Sequence, residues 1–156
     1  MQNDVLIVAA SEAWLASCTR YFEERDFIPV GCTTFEKAGL LVETHCFSIA
    51  IIDFFIGEEN GGQLCDRIES GFGDETGLII VSERQTPEIE RAIRRHSPLY
   101  YFIKPCSLDN IYAVARKTCA WRNKNELQKQ RAILDMLHDK SAGRNKNATC
   151  GVMEIP

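Results

Sequence analysis

A parallel α/β sheet with helices on both faces is the fold class this sequence predicts, and three observations carry it. Five short apolar runs recur along the chain, at Val5–Val8, Ile28–Cys32, Ile49–Ile52, Leu78–Val81 and Tyr100–Ile103. Segments of helical period separate them, so strands and helices alternate throughout. Most of the runs are apolar on consecutive rather than alternate residues, the pattern of strands buried on both faces.

The elements follow in order. The first strand, Val5–Val8, stops on Ala9 and Ala10, and Ser11 caps a helix whose apolar positions are Trp14, Leu15, Cys18 and Phe22. After the second strand, Thr33 and Glu36 have the spacing of a capping box ahead of Ala38, Leu41, Val42 and His45. Leu64, Cys65 and Ile68 mark a shorter third helix that is expected to end before the glycine-rich stretch SGFGDETG, read as a loose loop. Thr86-Pro87 opens the fourth helix. Its acids Glu88 and Glu90 come early and its bases Arg91, Arg94 and Arg95 late, as the helix dipole favours; Ile89, Ala92, Ile93 and His96 form its stripe. Ser107 caps a fifth helix containing Leu108, Ile111 and Ala115. Five strands and five helices in this length make a small flavodoxin-like, doubly wound sheet of expected order 2-1-3-4-5, with a C-terminal helical extension.

The domain organisation expected is a globular domain over 1–119, a helical extension or linker over 120–141, and a disordered tail over 142–156. Leu127, Leu134 and Leu137, supported by Ile133 and Met136, give the extension a short heptad-like seam. Charge divides along the same line. Residues 1–120 hold 11 Lys and Arg against 18 Asp and Glu, and residues 121–156 hold 7 against 4. The acidic globular part argues against a nucleic-acid face, and the basic tail is interleaved with Glu126, Asp135 and Asp139. No apolar run approaches the roughly 20 residues that span a bilayer, and the N-terminus has no leader pattern, so the expectation is a cytoplasmic protein without membrane contact. The seven cysteines are scattered singly, with His45-Cys46 the only close couple, and read as reduced thiols rather than a metal site.

Open parallel sheets bind ligands outside the carboxyl ends of their strands. There the first strand ends in Ala9-Ala10, the third in Asp53, the fourth in Ser82 and the fifth in Lys104-Pro105. A carboxylate, a hydroxyl and an ammonium on one rim form an anion-handling set: one accepts a group, one bonds its oxygens, one neutralises it.

With these residues the chain resembles the receiver domain of two-component response regulators over about residues 4–119. The resemblance rests on AIIDFFIGEENGG, with Gly61 eight residues after Asp53; on IIVSE, containing Ser82; and on YYFIKP, whose Lys104 lies 22 residues after Ser82. It implies that Asp53 holds the phosphoacceptor position, that Ser82 and Lys104 support the phosphate site, and that Tyr101 holds the switch-aromatic position. It also implies a cis Lys104-Pro105 bond that aims the lysine at the acceptor. The chain departs from the family at the first strand, where two acidic residues usually help the acceptor Asp to hold Mg2+; the matching positions are Ala9 and Ala10. Magnesium takes oxygen ligands, and two methyl groups supply none. The expectation is therefore no cofactor and weak or absent Mg2+ binding, with Asp53 and Lys104 balancing each other. Glu12, Glu58 and Glu59 are the acids weighed as substitute ligands. Gly57, where the family often has proline, is expected to loosen its loop.

The function expected is a receiver module of a phosphorelay that acts as a pseudo-receiver through protein contacts, and not an enzyme. The alternative is a working phosphoacceptor that takes a phosphoryl group from a histidine kinase onto Asp53. A phosphatase of the haloacid dehalogenase type needs Asp-x-Asp at a strand end, and DFF lacks the second acid. The partners implied are a histidine kinase or another signalling protein. A second copy is also expected, through the C-terminal helix or through the face of the fourth helix, fifth strand and fifth helix with Arg91, Arg95 and Tyr100 or Tyr101.

Overall fold

The computed structural model describes residues 3–72 and 75–153. The chain divides into two compact units, Met1–Cys119 and Ala120–Pro156. In the first unit β1 (Asp4–Val8), β2 (Ile28–Cys32), β3 (Ile49–Asp53), β6 (Gly77–Ser82) and β7 (Tyr100–Ile103) form one parallel sheet of order β2-β1-β3-β6-β7. A two-stranded antiparallel ribbon, β4 (Phe55–Ile56) with β5 (Glu59–Asn60), interrupts the alternation. Leaving it aside, the sheet order is the expected 2-1-3-4-5, and the fold is flavodoxin-like.

The helices cover both faces of the sheet and divide its apolar side chains into two clusters. On one face α2 (Phe35–Thr44), α3 (Gly62–Phe72) and α4 (Pro87–Arg94) bring Ala38, Val42, Leu64, Ile68 and Ile93 onto Leu6, Val8, Ala50, Ile52 and Ile80. On the other, α1 (Glu12–Glu23) and the first turns of α5 (Leu108–Met153) bring Cys18, Phe22, Ile111, Ala115 and Cys119 onto Val5, Ile7, Ile51, Ile79 and Val81. Consecutive strand residues point to opposite faces, so a strand covered on both sides is apolar at every position. All five residues of β3 are buried, and the consecutive apolar run Ile49–Ile52 that precedes Asp53 reflects this.

Several boundaries differ from the sequence reading. The cap of α2 is Thr34, not Thr33: the Thr34 hydroxyl accepts the Lys37 N–H at 3.2 Å, which starts the helix one residue later. Helix α3 runs through Gly71 and Phe72 into the stretch read as a loop; Gly73 and Asp74 of that stretch lie outside the described residues. The segment FFIGEENGG is a ribbon rather than a loose loop, because Gly57, at φ +60, takes the first position of its two-residue turn. In α4 Ile93 is buried and Ile89 half-buried but Ala92 is exposed, and His96, just beyond the helix, is buried.

In the second unit the helix continues to Met153, where the polar composition of 142–156 predicts disorder. Residues 142–153 include Gly143 and Gly151 but no proline, the residue with the largest helix penalty, about 3 kcal/mol. Residues 154–156 lie outside the described residues. Leu127, Ile133, Leu134, Met136 and Leu137 are all exposed. No helix among the described residues is long and apolar enough to cross a membrane.

Candidate functional site

The register of the parallel sheet sets the ends of its strands side by side. Val8 pairs with Ile52, Asp53 with Val81, and Ser82 with Ile103. Backbone bonds extend the alignment past the strands, with Ala9 N–H on Cys32 O at 3.1 Å, Phe54 N–H on Val81 O at 2.8 Å and Lys104 N–H on Ser82 O at 2.9 Å. These contacts bring the sequence-predicted residues Ala10, Asp53, Ser82 and Lys104 to one rim. The Lys104-Pro105 bond is cis.

Asp53 is the centre of the rim and is 3% exposed. One of its oxygens, Oδ2, accepts two hydrogen bonds, from the Lys104 ammonium at 2.9 Å and from the Ala10 N–H at 3.0 Å. A buried carboxylate needs partners of this kind, since taking an unpaired charge out of water costs several kcal/mol. The lysine is steadied in turn by Trp14, whose ring centroid lies 4.6 Å from the ammonium, within cation–π range.

Ser82 is buried, and its hydroxyl is used locally: it donates to Arg84 O at 2.9 Å and accepts from Arg84 N–H at 3.1 Å. The same carbonyl accepts the Tyr101 hydroxyl at 3.2 Å. Tyr101 is half-buried and packs against the cluster of α2, α3 and α4. The strand-end serine and the tyrosine of β7 therefore meet at one backbone atom of the loop between β6 and α4.

A cleft of about 210 Å³ opens over Asp53, lined by Ala10, Phe55, Gly57, Glu83 and Arg84. The acids weighed in the sequence as substitute metal ligands are not among its lining residues. Glu58 and Glu59 line a separate cavity with Phe35, Gln63 and Arg67, because the ribbon turn carries them to the α2–α3 side, and Glu12 is exposed on the first turn of α1. The acid in the cleft is Glu83. Its only sequence signal was its place directly after Ser82, and three further neighbours, Trp14, Arg84 and Phe55, gave none. The Arg84 guanidinium lies 4.6 Å from the Phe55 ring centroid. A magnesium site of the kind the resemblance implies does not fit the end of β1: Ala9 is fully buried, Ala10 offers a methyl group and an N–H, and that N–H occupies Asp53.

Two thiols flanking the sheet are inert. Burial, with the nearby Cys106 thiol, pushes Cys18 up to about 12, and burial pushes Cys65 up to about 12. Both stay protonated at neutral pH, so neither is a nucleophile.

No protein-family model and no curated protein matches the chain. Solved structures do. The chain is similar to a chemotaxis-regulator-like response regulator receiver domain from Methanospirillum hungatei, with a TM-score of 0.71 and 18% identity over 80% of this chain and 99% of that one. It is also similar to a response regulator from Burkholderia pseudomallei that carries a phosphorylated aspartic acid, with a TM-score of 0.67 and 14% identity over 81% and 75% of the two chains. An adenylate cyclase from Rhodopirellula baltica matches at 0.67 and 17% identity over 83% and 98%. The fold is thus that of response-regulator receiver domains.

Proposed function

We propose that this chain is a signal-transduction receiver module that works as a pseudo-receiver, through protein–protein contacts and without Mg2+-dependent phosphorylation of Asp53. One observation carries the reading: the Asp53 carboxylate is bonded to Lys104 and to the Ala10 backbone, at a strand end whose side chains are methyl groups. One carboxylate and one ammonium neutralise each other, so no divalent cation is needed to relieve repulsion in the resting site. Asp53 then serves to hold the rim together, and Ser82 and Tyr101 couple the rim to the loop after β6.

The output surface in this reading is the side of the sheet where β7 is the edge strand. Leu99, Tyr100 and Ile103 are exposed there, Leu99 and Tyr100 lining a groove with Arg94 of α4, and Arg91 and Arg95 are exposed as well, which suits a partner signalling protein or a second copy. The exposed Leu127–Leu137 seam offers a second surface for self-association. The cytoplasm is the compartment this function requires.

The alternative, phosphoryl transfer onto Asp53, is favoured by Glu83, which gives the cleft a second carboxylate, and by the phosphorylated aspartic acid of the Burkholderia pseudomallei structure. Incubation with acetyl phosphate and Mg2+ followed by intact-mass measurement separates the two. The pseudo-receiver gives no phosphoryl adduct; an adduct that vanishes in Asp53→Asn establishes the alternative.

A further inference from the structure

His96 follows the last turn of α4 and is 3% exposed, and its Nδ1 has no hydrogen-bond partner. A buried ring nitrogen is seldom left in that condition. It faces two carboxylates of α3, with Asp66 Oδ1 at 3.4 Å and Glu69 Oε1 at 3.5 Å. Asp66 and Glu69 are three residues apart and so share one side of the helix. The three ligand atoms all lie within 4.8 Å of one another.

We propose that Asp66, Glu69 and His96 form a site for a divalent transition-metal ion of the zinc class, clamping α3 to the end of α4. The spacing suits that ion. Around tetrahedral zinc, with bonds of about 2.0–2.1 Å, neighbouring ligand atoms sit about 3.3 Å apart. The two nitrogen–oxygen distances are close to that edge already, and both carboxylates are on exposed side chains that can adjust. The donor set of one imidazole and two carboxylates is one that zinc accepts, and three protein ligands leave a fourth position for water. An ion there also neutralises two adjacent acids. The thiol of Cys65, next in sequence to Asp66, is fully buried in the core cluster and lies outside this group of ligand atoms. The site is formed by side chains other than those of the Asp53 rim, so it stands independently of the function proposed above.

The test is calorimetric titration of the chelator-treated full chain with Zn2+, with Co2+ absorption as the probe of ligand type. The expected result is one ion per chain and a Co2+ spectrum of tetrahedral intensity without thiolate charge-transfer bands. Affinity should fall by about tenfold or more in Asp66→Asn/Glu69→Gln, whose exposed changes leave the core intact, and likewise in His96→Gln. Binding should persist in Asp53→Asn. The thermal midpoint should rise with Zn2+ in the unmodified chain and not in the carboxylate variant. Absence of saturable binding overturns the proposal, and so does binding unchanged by the carboxylate substitutions or a thiolate spectrum.

Discussion

Asp53 and Lys104 form an ion pair whose side chains are 4% and 13% exposed. Removing one member of a buried pair strands the other, whereas removing both removes the penalty as well. Lys104→Met is therefore expected to lower stability by about 3 kcal/mol, and Asp53→Asn/Lys104→Met to recover most of that loss. Urea unfolding of the two variants and of Asp53→Asn completes the cycle; a loss in the double variant equal to the sum of the two single losses would show that the pair is not coupled. The four strand-end positions were readable in the sequence because parallel strands deliver their carboxyl ends to one rim. The partners of the rim were not readable. Trp14, Glu83 and Arg84 approach it from a helix and a loop, and no period or motif encodes such an approach.

Among the elements, the ribbon β4–β5 is the clearest departure from the sequence reading. Two-residue strands are too short to show alternation, and Gly57 was read as looseness where its positive φ builds a tight turn. A Cβ at Gly57 meets nothing within 4 Å, so Gly57→Ala isolates the backbone cost, expected at about 1 kcal/mol. Gly57→Pro should cost more, because proline fixes φ near −65°. Urea midpoints check both, and a neutral or stabilising proline would refute the turn. Helices were legible where caps and stripes agreed, as at Ser11 and Thr86, whose hydroxyls accept the N–H three residues on. Thr33 and Thr34 are adjacent and chemically alike, and the hydrogen bond from Lys37 N–H shows that Thr34 is the cap.

For the whole molecule, the sheet order and the two apolar layers followed from the strand runs, since burial on both faces leaves a continuous apolar signature. The layers also carry a pH dependence. Cys18 lies in one and Cys65 in the other, each held up at about 12 from an ordinary value of 9.0. Between those values the unfolded chain loses protons that the folded chain keeps, so stability is complete below about pH 9 and declines as pH rises toward 12. Each thiol contributes a slope of about 1 kcal/mol per pH unit in that window. Unfolding measured from pH 8 to 11 should show a shallower decline in Cys65→Ala than in the unmodified chain; an unchanged slope would contradict the burial argument.

In the proposed function, Asp53, Ser82 and Lys104 form the rim and the end of β1 binds no divalent cation. Magnesium titration of the full chain, followed by calorimetry and by the fluorescence of Trp14 beside Lys104, tests this most directly. No saturable response is expected at millimolar Mg2+, with a gain of binding in Ala10→Asp, since Ala10 lines the cleft. Saturable Mg2+ binding by the unmodified chain that disappears in Asp53→Asn would contradict it.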